Sequence, residues 1–161
     1  MKDFAMWLYQ TPLSAAIRDF PSLVAFMQSV HILAVAGVIG SALMSDLRLA
    51  GVLATDEPAD AVARRYMPWM WGALAVLLLT GLVQIVGEPE RTLTTVTFWL
   101  KMAMLLIAFA LTLIMRKPLL DPHFDIRGAW WETYVKPAAW LSLLLWIAVI
   151  VCGRWIAYST T

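Results

Sequence analysis

The sequence predicts an all-α integral membrane protein: a four-helix bundle preceded by an amphipathic helix in the membrane interface. Hydrophobic residues make up 61% of the chain and charged residues only 14%, which excludes an ordinary soluble domain. Four apolar runs are each long enough to cross a bilayer, which takes ~20 residues. Because the loops between them are short, residues 1–161 are expected to form one membrane domain.

The N-terminal segment, residues 3–19, is predicted to be the interfacial helix. Its apolar side chains are scattered along the segment, unlike the unbroken apolar run of a secretion signal. Trp7 and Tyr9 would lie at the level of the lipid headgroups, and Arg18 would face water before Pro21 turns the chain into the bilayer.

The four membrane spans are predicted at residues 23–47, 69–86, 96–115 and 137–157. After the first span, Asp56 and Glu57 precede Pro58 in the pattern of a helix start, which predicts a short surface helix ending near residue 65. Residues 121–136 are predicted to be a loop. His123 lies in this loop, where contact with solvent is a simpler interpretation than metal binding.

The distribution of basic residues predicts the orientation in the membrane. Seven lysines and arginines lie in the first and third loops and four lie in the termini and second loop. Since cytoplasmic loops carry the excess of basic residues, both termini are expected in the periplasm and the protein in a bacterial inner membrane. The net charge of +1 gives no reason to expect a nucleic-acid partner.

Each span delivers one strongly polar residue to the outer leaflet in this topology. His31 lies eight residues into the first span, roughly 12 Å along its axis. Gln84, Lys101 and Arg154 lie in the other three spans. A neutral histidine is a good axial ligand for haem iron, and the two cations could bind haem propionates. His31 is therefore the candidate metal ligand, and all four residues are candidate cofactor contacts.

Each of these residues also has a purely structural interpretation. His31 and Gln84 could form hydrogen bonds to a neighbouring helix, as polar residues in membrane helices often do. Lys101 and Arg154 lie close enough to the membrane boundary for their charged groups to reach the headgroups. The sequence leaves both interpretations open.

Other polar and sulfur-containing residues are less indicative of a functional site. Asp46 and Arg48 are predicted to form an ion pair or a helix cap at the inner face. Met67 and Met70 would suit copper(I), which prefers soft ligands. Cys152, the single cysteine, excludes an internal disulfide and is interpreted as a small apolar residue within its helix.

The sequence contains none of the hydrolase or nucleotide-binding motifs HExxH, GxSxG and the Walker loop. It also lacks the internal repeat and the broken helices of alternating-access transporters. The protein is not expected to be an enzyme on its own, and an enzymatic activity would be that of a membrane oxidoreductase.

Four strings, TPLSAAIRDF, VHILAVAGVIGSALMSDLRLAG, FWLKMAMLL and LSLLLWIAVIVCGRWIAY, give the chain a family resemblance over nearly its whole length. It resembles a bacterial family of small four-helix membrane proteins catalogued as a domain of unknown function. More distantly, the first span and the lysine after an aromatic residue in the third look like haem-binding membrane protoporphyrinogen oxidases and copper-resistance D membrane proteins. That second resemblance implies that His31 and Lys101 are functional residues.

Three functions remain open at this point. The first is a b-type haem protein that acts in electron transfer or tetrapyrrole handling, with a possible periplasmic redox partner. The second is a cofactor-free anchor or assembly subunit of a larger complex, and the third is a copper-handling protein. Beyond the lipid bilayer, a homo-oligomer or a larger membrane complex is the expected partner.

Overall fold

The computed structural model describes residues 2–121 and 129–158, and these residues form helices without any strand. Two short helices, α1 (Lys2–Tyr9) and α2 (Pro12–Arg18), precede the long helices α3 (Pro21–Leu49) and α4 (Ala59–Gly87). A five-residue helix, α5 (Pro89–Leu93), connects α4 to α6 (Val96–Arg116), and α7 (Ala129–Tyr158) completes the bundle. The long helices α3, α4, α6 and α7 are all long and apolar enough to span a membrane. The protein is a multi-pass membrane protein.

The four long helices alternate in direction and form two pairs, α3 with α4 and α6 with α7, and α3 also contacts α7. We call the end of the bundle where α3 and α6 begin and α4 and α7 end the termini side, and the opposite end the far side. α1 covers the termini side, where Ala5 packs with Leu93 and Phe98. Many large apolar side chains on the outer surface are exposed, as expected for contact with lipid.

Three predicted element boundaries differ from the observed ones. The predicted surface helix and the second span form one helix, α4, which continues through Pro68. Proline lacks an N–H group, but a membrane helix tolerates it because neighbouring groups compensate for the lost hydrogen bond. α7 begins at residue 129, within the predicted loop, and buries Trp131 in the far-side core. His123 lies outside the described residues.

The third difference concerns the N-terminal segment, which forms two helices instead of one. The chain turns at Thr11, whose side-chain oxygen accepts a hydrogen bond from the Ser14 N–H at 3.3 Å and so caps α2. Pro12 follows as the first residue of the helix, where its fixed φ is favourable. Arg18 does not simply face water, because its guanidinium lies 3.7 Å from the centre of the Tyr9 ring.

Candidate functional site

His31 joins the first helix pair near the termini side. Its ring is half-buried, and its Nδ1 lies 2.7 Å from Oγ1 of Thr80, a buried residue of α4. The ring also packs against α4 at Gly81, where an added Cβ would make ordinary van der Waals contact with His31 Cε1 at 3.6 Å. The imidazole is therefore held against α4 by one hydrogen bond and by close packing.

The hydrogen bonds of Thr80 assign the tautomer of His31. The Thr80 hydroxyl lies 2.7 Å from the Val76 carbonyl oxygen, which can only accept, so the hydroxyl proton points to that carbonyl. Thr80 Oγ1 must then accept a proton from His31 Nδ1. This assignment leaves Nε2 as the unprotonated nitrogen, in the arrangement that metal-bound histidines usually have.

Lys101 on α6 brings a positive charge to the same region. Its side chain is half-buried, and its Nζ would lie 3.5 Å from a Cβ added at Gly153 of α7. Lys101 is close enough to interact electrostatically with both the His31 ring and the Cys152 thiol. No ion pair joins it to a carboxylate among the side chains that the structure describes. The ammonium group thus lies among α3, α6 and α7 without a counter-ion from the described chain.

The two other predicted site residues differ in burial. Gln84 lies one turn after Thr80 on the same face of α4, and its Nε2 is buried without a hydrogen-bond partner among the described residues. Arg154 follows Gly153, but its side chain is exposed. We define the termini-side site as His31, Thr80, Gln84 and Lys101, which offer several donors and one free imidazole nitrogen.

A second group of polar residues lies in the far half of the bundle. Arg116 Nη2 is 2.7 Å from Asp46 Oδ1, and both side chains are at most 1% exposed. Arg116 also donates to the Ala42 carbonyl oxygen and to Met70 Sδ, both at 3.1 Å. Arg116 thus ties α6 to both α3 and α4. We call Asp46, Arg116 and their buried polar neighbours Thr112, Ser142 and Trp146 the far-side cluster.

The predicted partner of Asp46 is therefore wrong. Arg48 instead donates from Nε to the Glu57 carbonyl oxygen at 2.6 Å and stabilises the turn before α4. Two residues apart on a helix, Asp46 and Arg48 point to different faces, whereas packing brings Arg116 of α6 opposite Asp46. Arg116, predicted only to end the third span, is one of the most buried residues.

The structure does not bring His31 and Met70 together. Ten residues of α4 separate Thr80 from Met70, which is about 15 Å along the helix axis. Met70 packs in an apolar cluster with Val38 and Ala108. The sulfur of Met70 is directed to Arg116, so Met70 belongs to the surroundings of the far-side cluster and not to the termini-side site.

Sequence reasoning missed one member of the termini-side site, Thr80, and one neighbour of this site, Cys152. Thr80 lies in an otherwise apolar run. The sequence connects it with a polar site through one signal, its spacing of one helical turn from Gln84. Cys152 is half-buried, and its proximity to Lys101 depends on how α6 and α7 pack.

The chain belongs to DUF6644, a family of unknown function whose model matches residues 16–159. This finding confirms the predicted resemblance to a family without an assigned activity. No curated protein and no solved structure matches the chain significantly. The more distant resemblances to protoporphyrinogen oxidases and copper-resistance proteins stay predictions.

Proposed function

We propose that the protein binds one b-type haem at the termini-side site and acts in electron transfer or tetrapyrrole handling. The observation that carries the proposal is the His31–Thr80 hydrogen bond, which leaves His31 Nε2 unprotonated. His31 would bind the iron through this nitrogen, and Thr80 would hold the ring in position. When bound, haem supplies an iron that exchanges single electrons between its ferric and ferrous states.

The donors beside His31 fit the acidic edge of a haem. The Lys101 ammonium lacks a carboxylate partner and Gln84 Nε2 is a buried donor without an acceptor, in both cases among the described residues. A buried donor without an acceptor costs about 1–3 kcal/mol, and a propionate oxygen would remove this cost. Lys101 and Gln84 would therefore hold carboxylates, and exposed Arg154 would contribute its positive charge from the rim of the site.

The number of available protein ligands favours haem over a bare metal ion. Among the described residues, no group of three or more His, Cys, Asp and Glu side chains is placed to hold a metal. A haem iron brings four nitrogen ligands of its own and needs only one or two from the protein. Copper held by His31 and Met70 is disfavoured because these residues lie at different levels of the bundle.

The proposal extends to location and partners. Basic residues are enriched in the loops of the far side, so we place that side in the cytoplasm and the termini side in the periplasm of a bacterial inner membrane. Haem at the termini-side site would then lie near the outer surface, where a periplasmic redox partner could exchange electrons with it. A homo-oligomer or a larger membrane complex is compatible with this arrangement.

The same hydrogen bond favours a second function, a cofactor-free membrane anchor or assembly subunit. In that case His31 and Thr80 join α3 to α4, and interhelical hydrogen bonds of this kind contribute about 0.6 kcal/mol on average in membrane proteins. The two functions differ in whether His31 Nε2 has a ligand.

The test is an absorption spectrum of the protein purified in mild detergent after haem-replete expression, before and after reduction with dithionite. We expect a Soret band and, after reduction, α and β bands. The variant His31→Ala should lose these bands, and added imidazole should restore them by replacing the missing ligand. The control Ser29→Ala, two residues away on α3, should keep them, because Ser29 bonds only to the carbonyl of its own helix.

A colourless wild-type protein would refute the haem proposal and favour the anchor. A coloured His31→Ala variant with an unchanged spectrum would refute His31 as the ligand. Lys101 is tested separately. Lys101→Gln should weaken haem binding about tenfold, which is the equivalent of ~1.4 kcal/mol for one lost charge-assisted hydrogen bond. Lys101→Arg keeps the positive charge and should bind haem nearly as the wild type does.

A further inference from the structure

The far-side cluster contains more polar groups than its own hydrogen bonds satisfy. Five side-chain atoms are buried without a partner among the described residues: Asp46 Oδ2, Thr112 Oγ1, Arg116 Nε, Ser142 Oγ and Trp146 Nε1. All five side chains are at most 2% exposed. Native proteins rarely leave buried polar groups unpaired, and a specific group of them calls for an unseen partner.

These five residues are spaced so that they face one another. Thr112 and Arg116 are one turn apart on α6, and Ser142 and Trp146 are one turn apart on α7, so each pair lies on one helix face. Asp46 of α3 links the two faces, since it pairs with Arg116 and lies beside Ser142. The Ser142 hydroxyl nevertheless makes no hydrogen bond of normal geometry. Since all five side chains are buried and α7 packs against both α3 and α6, we treat the unpaired atoms as one polar column between these helices.

The chemistry of the column identifies the missing partner. Arg116 Nε and Trp146 Nε1 can only donate, the two hydroxyls can donate and accept, and Asp46 Oδ2 can only accept. Water is the small molecule that accepts from the first group and donates to the last. The Asp46–Arg116 pair is already neutral as a whole, which gives no reason for an additional ion. An internal water typically makes about three such bonds.

We infer that the far-side cluster is an internal water-binding site, in which bound water joins Asp46 Oδ2 and Ser142 on one side to Thr112, Arg116 Nε and Trp146 on the other. The far half of the bundle then contains an internally hydrated ion pair. Trp146 of this cluster also packs against the apolar side chains of Val38 and Ala108. This inference does not depend on whether haem binds at the termini-side site.

The test is magnetisation transfer from water to the protein, measured by solid-state NMR on the full-length protein in bilayers of deuterated lipid. We expect the Trp146 indole N–H and the Arg116 Nε–H to receive magnetisation from water much faster than the backbone amide of buried Ala108. The Trp146 signal is assigned by its loss in Trp146→Phe. Transfer as slow as at Ala108 would mean that the cluster is dry and would overturn the inference.

Two variants add an independent check. Thr112→Val keeps the side-chain volume but removes a hydroxyl of the column, so transfer to Arg116 Nε–H should fall. Ser45→Ala is the matched control, because the Ser45 hydroxyl donates to the Ser41 carbonyl at 2.9 Å within α3 and is satisfied. Equal transfer in wild type, Thr112→Val and Ser45→Ala would contradict the assigned water position.

Discussion

Breaking the Asp46–Arg116 pair should be the most destabilising polar change in the bundle. Removing one partner of a buried ion pair typically costs about 3–5 kcal/mol, because the remaining charge is buried without compensation. The two single variants should differ. Asp46→Leu leaves a guanidinium that cannot lose its proton, whereas Arg116→Met leaves a carboxylate that can become neutral by taking up a proton. Asp46→Leu should therefore have the larger effect.

The double variant separates the pair interaction from the loss of each side chain. Replacement of a buried ion pair by apolar residues of similar size is often nearly neutral, so Asp46→Leu/Arg116→Met should be more stable than either single variant. The control is Arg64→Ala, which removes an exposed pair with Asp60 at 3.9 Å and an exposed hydrogen bond to the Leu120 carbonyl oxygen at 3.2 Å. Together these exposed contacts should contribute about 0–1.5 kcal/mol.

The measurement is reversible unfolding in mixed micelles of a mild detergent and dodecyl sulfate, followed by far-ultraviolet circular dichroism. The free energies of unfolding of the wild type, both single variants and the double variant form a double-mutant cycle. If the effects of Asp46→Leu and Arg116→Met simply add, or if each is as small as that of Arg64→Ala, the assigned role of the pair is wrong.

Two further predictions concern the contact between α3 and α4. Gly37→Leu should destabilise the bundle by about 1–3 kcal/mol, because a Cβ added at this position would lie 3.1 Å from a side chain of α4. Gly40→Leu is the control: no atom lies within 4 Å of its added Cβ, so it should be nearly neutral in the same unfolding assay. Thr80→Val should lower the free energy of unfolding by about 0.5–1.5 kcal/mol, because it removes the hydrogen bond to His31. It should also remove the preference for a proton on His31 Nδ1, which the 15N chemical shifts of the ring report. Unchanged shifts would refute the tautomer assignment.

Hydropathy and proline positions were sufficient to predict the four spanning helices and their alternating directions. Local signals located their ends less well. Pro58 lies directly before a helix, as predicted. This helix continues to Gly87, because no loop separates the predicted surface helix from the apolar run of the second span. Thr11 has a side chain suited to an N-cap, and this cap divides the predicted interfacial helix in two.

The depth of the polar residues in the bundle could be predicted from the sequence, whereas their contact partners could not. Depth along a helix follows from residue number, so His31 and Lys101 could be assigned to the same half of the bundle. Which helix faces meet depends on rotation and packing, which one sequence does not reveal. The pairing of Asp46 with Arg116 across 70 residues, and the contact of His31 with Thr80, depend on that packing.

The two helix pairs give the buried ion pair a role in how the two helical hairpins fit together. Asp46 belongs to the α3–α4 pair and Arg116 to the α6–α7 pair, so each helical hairpin carries one charge that the other must neutralise. Asp46 lies three residues before the end of α3 and Arg116 is the last residue of α6, so in a separate hairpin each charged group can reach the membrane interface. When the two hairpins pack together, both charges become buried and each neutralises the other. Only an arrangement that brings Asp46 and Arg116 together compensates both buried charges, so the ion pair favours the correct packing of the two hairpins over other packings.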